Sequence, residues 1–162
     1  MSTQGPAFSC EPDPDHPGWH RWRLLDATRY NEAVLGPMRV RREGEDSARC
    51  RILPVRHLTN SGGNVHGGAV LGMIDVALFA GAYIVRGIEA MGAATIDVSC
   101  QFIGPGHPDK PLDAVVQVLR ETRRLGFLRG LVVQGEGDDE TLVASFTGTV
   151  RKPSTSGVSG PK

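Results

Sequence analysis

The stretch Asn60-Ser61-Gly62-Gly63-Asn64-Val65-His66-Gly67-Gly68 is the part of this chain best equipped for chemistry at a carbonyl group. Its glycines let a ligand or a second backbone come close. It leads straight into an apolar run, Gly67 to Val85, that reads as a buried helix. The first N–H groups of a helix lack internal acceptors and carry the positive end of its dipole. Such donors stabilise an oxygen that gains negative charge, as when water attacks a carbonyl. The same residues also suit a glycine-rich turn that only starts a helix. Two turns further on, Asp75 is the single charge in the run. A charged carboxylate buried without partners costs on the order of several kcal/mol. Asp75 therefore either sits in a structural hydrogen-bond network or lines a functional cavity. Desolvation there would raise its basicity, which a general base near neutral pH requires.

Other chemistries find less support. His57, His66 and Asp75 fall at nine-residue intervals, whereas helical zinc pairs need ligands three or four residues apart. A ligand set shared between chains escapes that test, but no metal and no cofactor is expected. His66 is expected to hold the loop through hydrogen bonds, and His16, His20, His57 and His107 to lie on the surface or in turns. No GxSxG, GxxxxGK or GxGxxG stretch occurs, so neither a serine-hydrolase elbow nor a nucleotide loop is indicated. Cys100 alternates onto the apolar face of a strand and reads as core. Arg120, Arg123, Arg124 and Arg129 gather around a turn at Thr122–Gly126, with Arg151 and Lys152 nearby in the pattern. That patch suits a phosphate-rich ligand, or equally a solvated turn balanced by Glu121.

The elements that must position these groups are mostly strands. Residues 94–104 alternate, with Ala94, Ile96, Val98, Cys100 and Phe102 on one face and Thr95, Asp97, Ser99 and Gln101 on the other. Residues 113–121 and 127–134 read as strands around a turn, and 141–151 alternates again. Before the helix, 38–42 and 47–53 form a hairpin-like pair about Gly44-Glu45-Asp46. A short helix is expected at Asp26–Leu35, with Asp26 as its cap. The order predicts an α+β architecture, a sheet of about six antiparallel strands wrapping one long helix. One helix leaves a sheet face and its edges bare, so self-association is expected.

Bulk properties agree. A chain of 162 residues holds one cored domain. Eighteen basic and eighteen acidic residues cancel, without the basic excess that displaces counterions from nucleic acid. The apolar run nears membrane-span length, but its central charge and glycines favour a core helix. Three widely spaced cysteines suit a reducing compartment. With no basic start and apolar run at the N-terminus, the expected location is cytoplasmic. Residues 1–18 and 153–162, rich in Pro, Gly and Ser, are expected to be flexible tails around a domain at 19–152. Trp19 and Trp22 need burial or a partner. The Gly18–Trp22 region is a candidate to fold over a neighbouring subunit or an acyl pocket.

Asn60, Gly63, His66-Gly67-Gly68, Asp75 and the Ala94-Thr95-Ile96-Asp97-Val98 strand together resemble the signature of the 4-hydroxybenzoyl-CoA thioesterase superfamily, in particular its phenylacetic-acid-degradation (PaaI-like) branch. The likeness runs from about Met38 to Lys152. It implies a hotdog fold, sheets joined edge to edge into homodimers that often pair into homotetramers, and hydrolysis of acyl-CoA with neither nucleic acid nor membrane as partner. By that resemblance Gly67 offers its N–H to the thioester carbonyl, and Asp75 of the partner subunit activates water or attacks the carbonyl. Asn60 positions water or the Asp, His66 supports the loop, and Thr95 orients the water. Gly68 contributes to substrate binding, and Arg123 and Arg124 are candidates for the CoA phosphates. Two alternatives stay open: a hotdog enoyl-CoA hydratase or dehydratase pairing His66 with Asp75, and a non-catalytic acyl-CoA-binding protein.

Overall fold

The structure, a computed structural model, describes residues 8–154. Eight strands form one antiparallel sheet in the order β1-β2-β3-β4-β6-β7-β8-β5. They are β1 Phe8–Pro12, β2 His20–Leu24, β3 Met38–Arg42, β4 Ser47–Ile52, β5 Ala94–Phe102, β6 Leu112–Glu121, β7 Leu125–Gln134 and β8 Thr141–Arg151. A single long helix, α1 Gly67–Arg86, packs on one face between β4 and β5 in chain order. This is the hotdog arrangement of helix and wrapping sheet, with eight strands where about six were expected.

Of the two additional strands, β1 comes from the expected N-terminal tail and β2 from the start of the expected domain. Residues 8–18 form β1 and a tight turn, closed by Asp13 N–H donating to Trp19 O at 2.8 Å, and β1 pairs with β2 from Phe8↔Leu24 to Pro12↔His20. Proline density argued for a tail. Pro12, however, ends an edge strand, where a missing N–H costs nothing, and Trp22 is buried on the helix side. The rest of the two expected tails, 1–7 and 155–162, lies outside the described residues. The helix expected at Asp26–Leu35 is also shorter, a π-helical turn at Asn31–Leu35. Asp26 instead folds its own turn, with Oδ1 accepting from the Thr28 N–H at 3.0 Å.

Helix α1 starts and stops by side-chain and backbone capping. His66 Nδ1 accepts from the Gly68 N–H at 2.9 Å. Gly87, left-handed at φ 65°, closes the C-terminus by donating to Ala82 O and Tyr83 O. The helix is long and apolar enough to cross a membrane, yet 61% of its apolar window is buried within the fold. Small residues let it lie close on the sheet: a Cβ at Gly81 would sit 3.0 Å from Val116 Cβ, and one at Gly148 of β8 2.5 Å from Leu78 Cδ1. Met73, Ile74, Ala77 and Leu78 of α1 thereby reach Val40, Cys50, Ala114 and Val116 in a single core. Each large side chain buried there contributes about 1.5–3 kcal/mol.

The opposite sheet face is charged. Asp113 is buried between Arg49 (2.9 Å) and Arg51 (2.7 Å). Trp19 lies under the guanidinium groups of Arg41 and Arg51, at 4.5 and 4.8 Å from its ring.

Candidate active site

The Gly-rich loop is built to present the start of α1. Asn60 Oδ1 accepts from the N–H groups of Gly62 (2.9 Å) and Asn64 (3.2 Å), and Gly63 takes φ 79° so that the loop can turn. The loop is then anchored at its end: Val65 N–H donates to Gly106 O and His66 N–H to Leu58 O, both at 2.7 Å. His66 thus spends Nδ1 on the cap of the helix. The Gly68 N–H is consumed by that cap. The neighbouring Gly67 N–H has no acceptor among the described residues. It is a free donor at the positive end of the helix. The ring of Phe102 lies against it, so that a Cβ at Gly67 would meet Phe102 Cζ at 3.2 Å.

Asp75 is half-buried in the middle of α1. Its Oδ1 accepts from Thr95 Oγ1 at 2.6 Å, a short hydrogen bond. Strict alternation puts Thr95 on the face opposite Val98 and Cys100. A bulge between Thr95 and Asp97 in the β5–β8 ladder leaves Ile96 unpaired and exposed. It turns Thr95 to the helix side.

Beside the carboxylate opens a cleft of about 190 Å³. Phe8, Trp22 and Leu24 of the N-terminal hairpin, Asn31 of the π-turn, Phe79 of α1 and Met91 of the following loop line it. Phe8, Trp22 and Tyr83 stack with centroids 5.0 to 5.5 Å apart. Of these residues only Trp22 falls in the Gly18–Trp22 region that the sequence offers as a cover for a neighbouring subunit or a pocket; the others carry no such mark. The one available signal was that two nearby tryptophans must be buried somewhere. Gln134 was also missed: buried, it bonds His107 N and O at 2.7 and 2.9 Å and so holds the loop whose Gly106 anchors Val65.

Within one chain the expected residues form two groups. Asp75 lines the cleft and Thr95 is bonded to it. Asn60, His66, Gly67 and Gly68 gather at the helix start, and Gly67 is eight residues, about 12 Å of helix rise, from Asp75. His66 and Asp75 are farther apart still, so one chain does not pair them. Arg123 and Arg124 line a separate groove of about 750 Å³ with Arg151 and Lys152, next to Gly87 at the far end of α1. Lys152 is ion-paired there with Glu121. Among the described residues no cluster of three His, Cys, Asp or Glu is arranged to hold a metal. Burial pushes the thiols of Cys50, Cys10 and Cys100 up, away from the reactive thiolate form.

The fold has many known counterparts. Escherichia coli PaaI, from the phenylacetic acid degradation operon, superposes with a TM-score of 0.62 at 20% identity, over 77% of this chain and 85% of that one. The Pseudomonas aeruginosa protein PA5202 matches with a TM-score of 0.60 at 24% identity, over 76% of this chain and 94% of that one. A hypothetical thioesterase of Streptococcus pneumoniae TIGR4, solved with coenzyme A, gives a TM-score of 0.60 at 18% identity, over 71% of this chain and 84% of that one. No curated protein matches the chain. The family model for the thioesterase superfamily matches residues 62–141, from the Gly-rich loop through α1 and β5 to the start of β8. That match lies over the loop, helix and strand that carry the candidate site, and the chain has the hotdog fold of these structures.

Proposed function

We propose that this protein is an acyl-CoA thioesterase of the PaaI-like branch, converting an acyl-CoA and water to the free acid and CoA. The observation that carries the reading is Asp75, held by Thr95 at 2.6 Å beside an apolar cleft. The pneumococcal counterpart solved with coenzyme A supports the choice of thioester. In this reading the cleft takes the acyl group, aromatic or of medium length. The free Gly67 N–H takes the carbonyl oxygen as it becomes an oxyanion. Asp75 removes a proton from water or adds to the carbonyl carbon itself. An acyl adduct on Asp75, trapped and found by mass spectrometry, would mark the second route. Asn60 and His66 keep the donor loop in shape, with Gly68 beside the bound thioester. Arg123 and Arg124 meet CoA phosphates.

A hydrogen bond spans about 3 Å, so one carbonyl cannot reach the Gly67 and Asp75 of a single chain. The edge strand β5 supports a shared site. Among the described residues it pairs only with β8, leaving one side of nine residues open, and such an edge invites a second strand. Thr95 near its start is bonded to Asp75, and Phe102 at its end lies on Gly67. Antiparallel pairing of β5 with its copy about a two-fold axis sets the start of one strand against the end of the other. Asp75 of one protomer then faces Gly67 of its partner. The protein works as a homodimer, or as a homotetramer of two such dimers, in the cytoplasm.

Release of free thiol from a panel of acyl-CoAs tests the reading. Asp75→Asn is expected to lower turnover by about a hundredfold or more. Equal rates for the two proteins would remove Asp75 from the mechanism.

A further inference from the structure

The cleft beside Asp75 is walled by chain that precedes the superfamily match. Phe8, Trp22, Leu24 and Asn31 all lie before residue 62, where that match begins. We propose that the N-terminal hairpin is the length gauge of the acyl pocket, with Phe8 and Trp22 as its end wall. The proposal rests on the thioesterase reading above and specifies which acyl groups that site accepts.

Three observations support it. The wall is rigid: Phe8 packs on Trp22 at 5.0 Å, and Tyr83 of α1 backs both rings at 5.5 Å. Trp22 is 4% exposed, so the stack cannot step aside into solvent. The cleft is also small. A cavity of about 150 Å³ holds one benzene, and this one measures about 190 Å³. It accommodates a single ring or a chain of about six carbons. Finally, the lining is apolar apart from Asp75 and Asn31, and it includes the small Ala90 and Ala93. An apolar chain therefore gains from every methylene that fits and nothing from those that do not.

Binding of the stable thioethers S-ethyl-CoA through S-hexadecyl-CoA, measured by calorimetry, tests this without turnover. For the wild type, affinity is expected to rise about fourfold per methylene, the equivalent of ~0.8 kcal/mol, and to flatten beyond about six carbons. Phe8→Ala should carry the rise through further methylenes. Ala93→Phe, which puts a ring in place of a small lining residue, should end it earlier. The second variant keeps the test intact should the first loosen the hairpin. A profile that climbs unbroken to S-hexadecyl-CoA, a break that neither substitution moves, or no binding at all overturns the gauge. Asp75→Asn separates the two claims. Asp75-dependent hydrolysis with an unbroken binding profile sinks the gauge and leaves the thioesterase reading standing. A break near six carbons in a protein that hydrolyses no thioester does the reverse.

Discussion

Thr95 reaches Asp75 only because Ile96 is squeezed out of the β5–β8 ladder. Asp75 itself was legible in the sequence, since one carboxylate in a greasy run has to be partnered or put to use. Gly67 was legible as a helix-start donor, and His66 as the residue that holds the loop. Thr95 was legible only through a family likeness. Alternation assigns it to the other face, and a one-residue bulge leaves no trace in a hydrophobic pattern. The hydrogen bond fixes the orientation of the carboxylate and satisfies one of its lone pairs. Thr95→Val keeps the shape and removes the donor. Hydrogen bonds to charged groups contribute about 1.5–3 kcal/mol, so turnover should drop by roughly tenfold to a hundredfold. The circular dichroism spectrum should stay unchanged. Full activity in the variant would show that Asp75 is oriented by something else.

At the scale of elements, the six strands from β3 to β8 follow from period-two patterns, and α1 from an apolar run too long for a strand. β1 and β2, five residues each, escaped because Pro12 in the first and Pro14 and Pro17 between the two read as a loop or tail. Short pieces give too few alternations to outweigh turn-forming residues. The stack of Trp22 on Phe8 and Tyr83 that holds the hairpin joins residues far apart in sequence, and a local pattern does not register it. The helix–sheet contact makes a sharper prediction. Gly148 lies under Leu78, where a methyl group would come within 2.5 Å of Cδ1, and Leu78 is fully buried. Gly148→Ala should destabilise the fold by about 1–3 kcal/mol through overpacking, read as a Tm lowered by several degrees. An unchanged Tm would mean that α1 can lift off the sheet at no cost.

For the molecule as a whole, the charged outer face ties the hairpin to the remaining sheet. The Asp13 side chain is fully buried there, bonded by Arg39 at 2.6 Å and Arg21 at 2.9 Å. Burial pushes this carboxyl up, but hydrogen bonds from Arg39, the Asp15 N–H and Arg21 outweigh it and hold the carboxyl well below the usual carboxylate range. A folded-state value below the unfolded one stabilises the protein in full above the unfolded pKa, about 3.9. That stability is lost as the pH falls from there toward the lower folded-state value. Asp13→Asn should therefore melt lower than the wild type at pH 7, and the gap should close in strongly acidic solution. A gap that stays constant into acid would dismiss the ion pairs as its source. A net charge of zero carries no hint of this network, because pairing depends on which strands become neighbours.

The hairpin also carries a built-in reporter. The chain has two tryptophans: Trp19 sits beneath guanidinium groups on the outer face, and Trp22 is sealed among aromatic rings on the inner one. Intrinsic tryptophan emission therefore arises from the hairpin alone, while far-ultraviolet ellipticity averages over every element. In a denaturant titration, a red shift of emission ahead of the loss of ellipticity would register the hairpin peeling away while the helix and the other strands persist. Coincident transitions would instead show that the eight strands and their helix melt as one cooperative body.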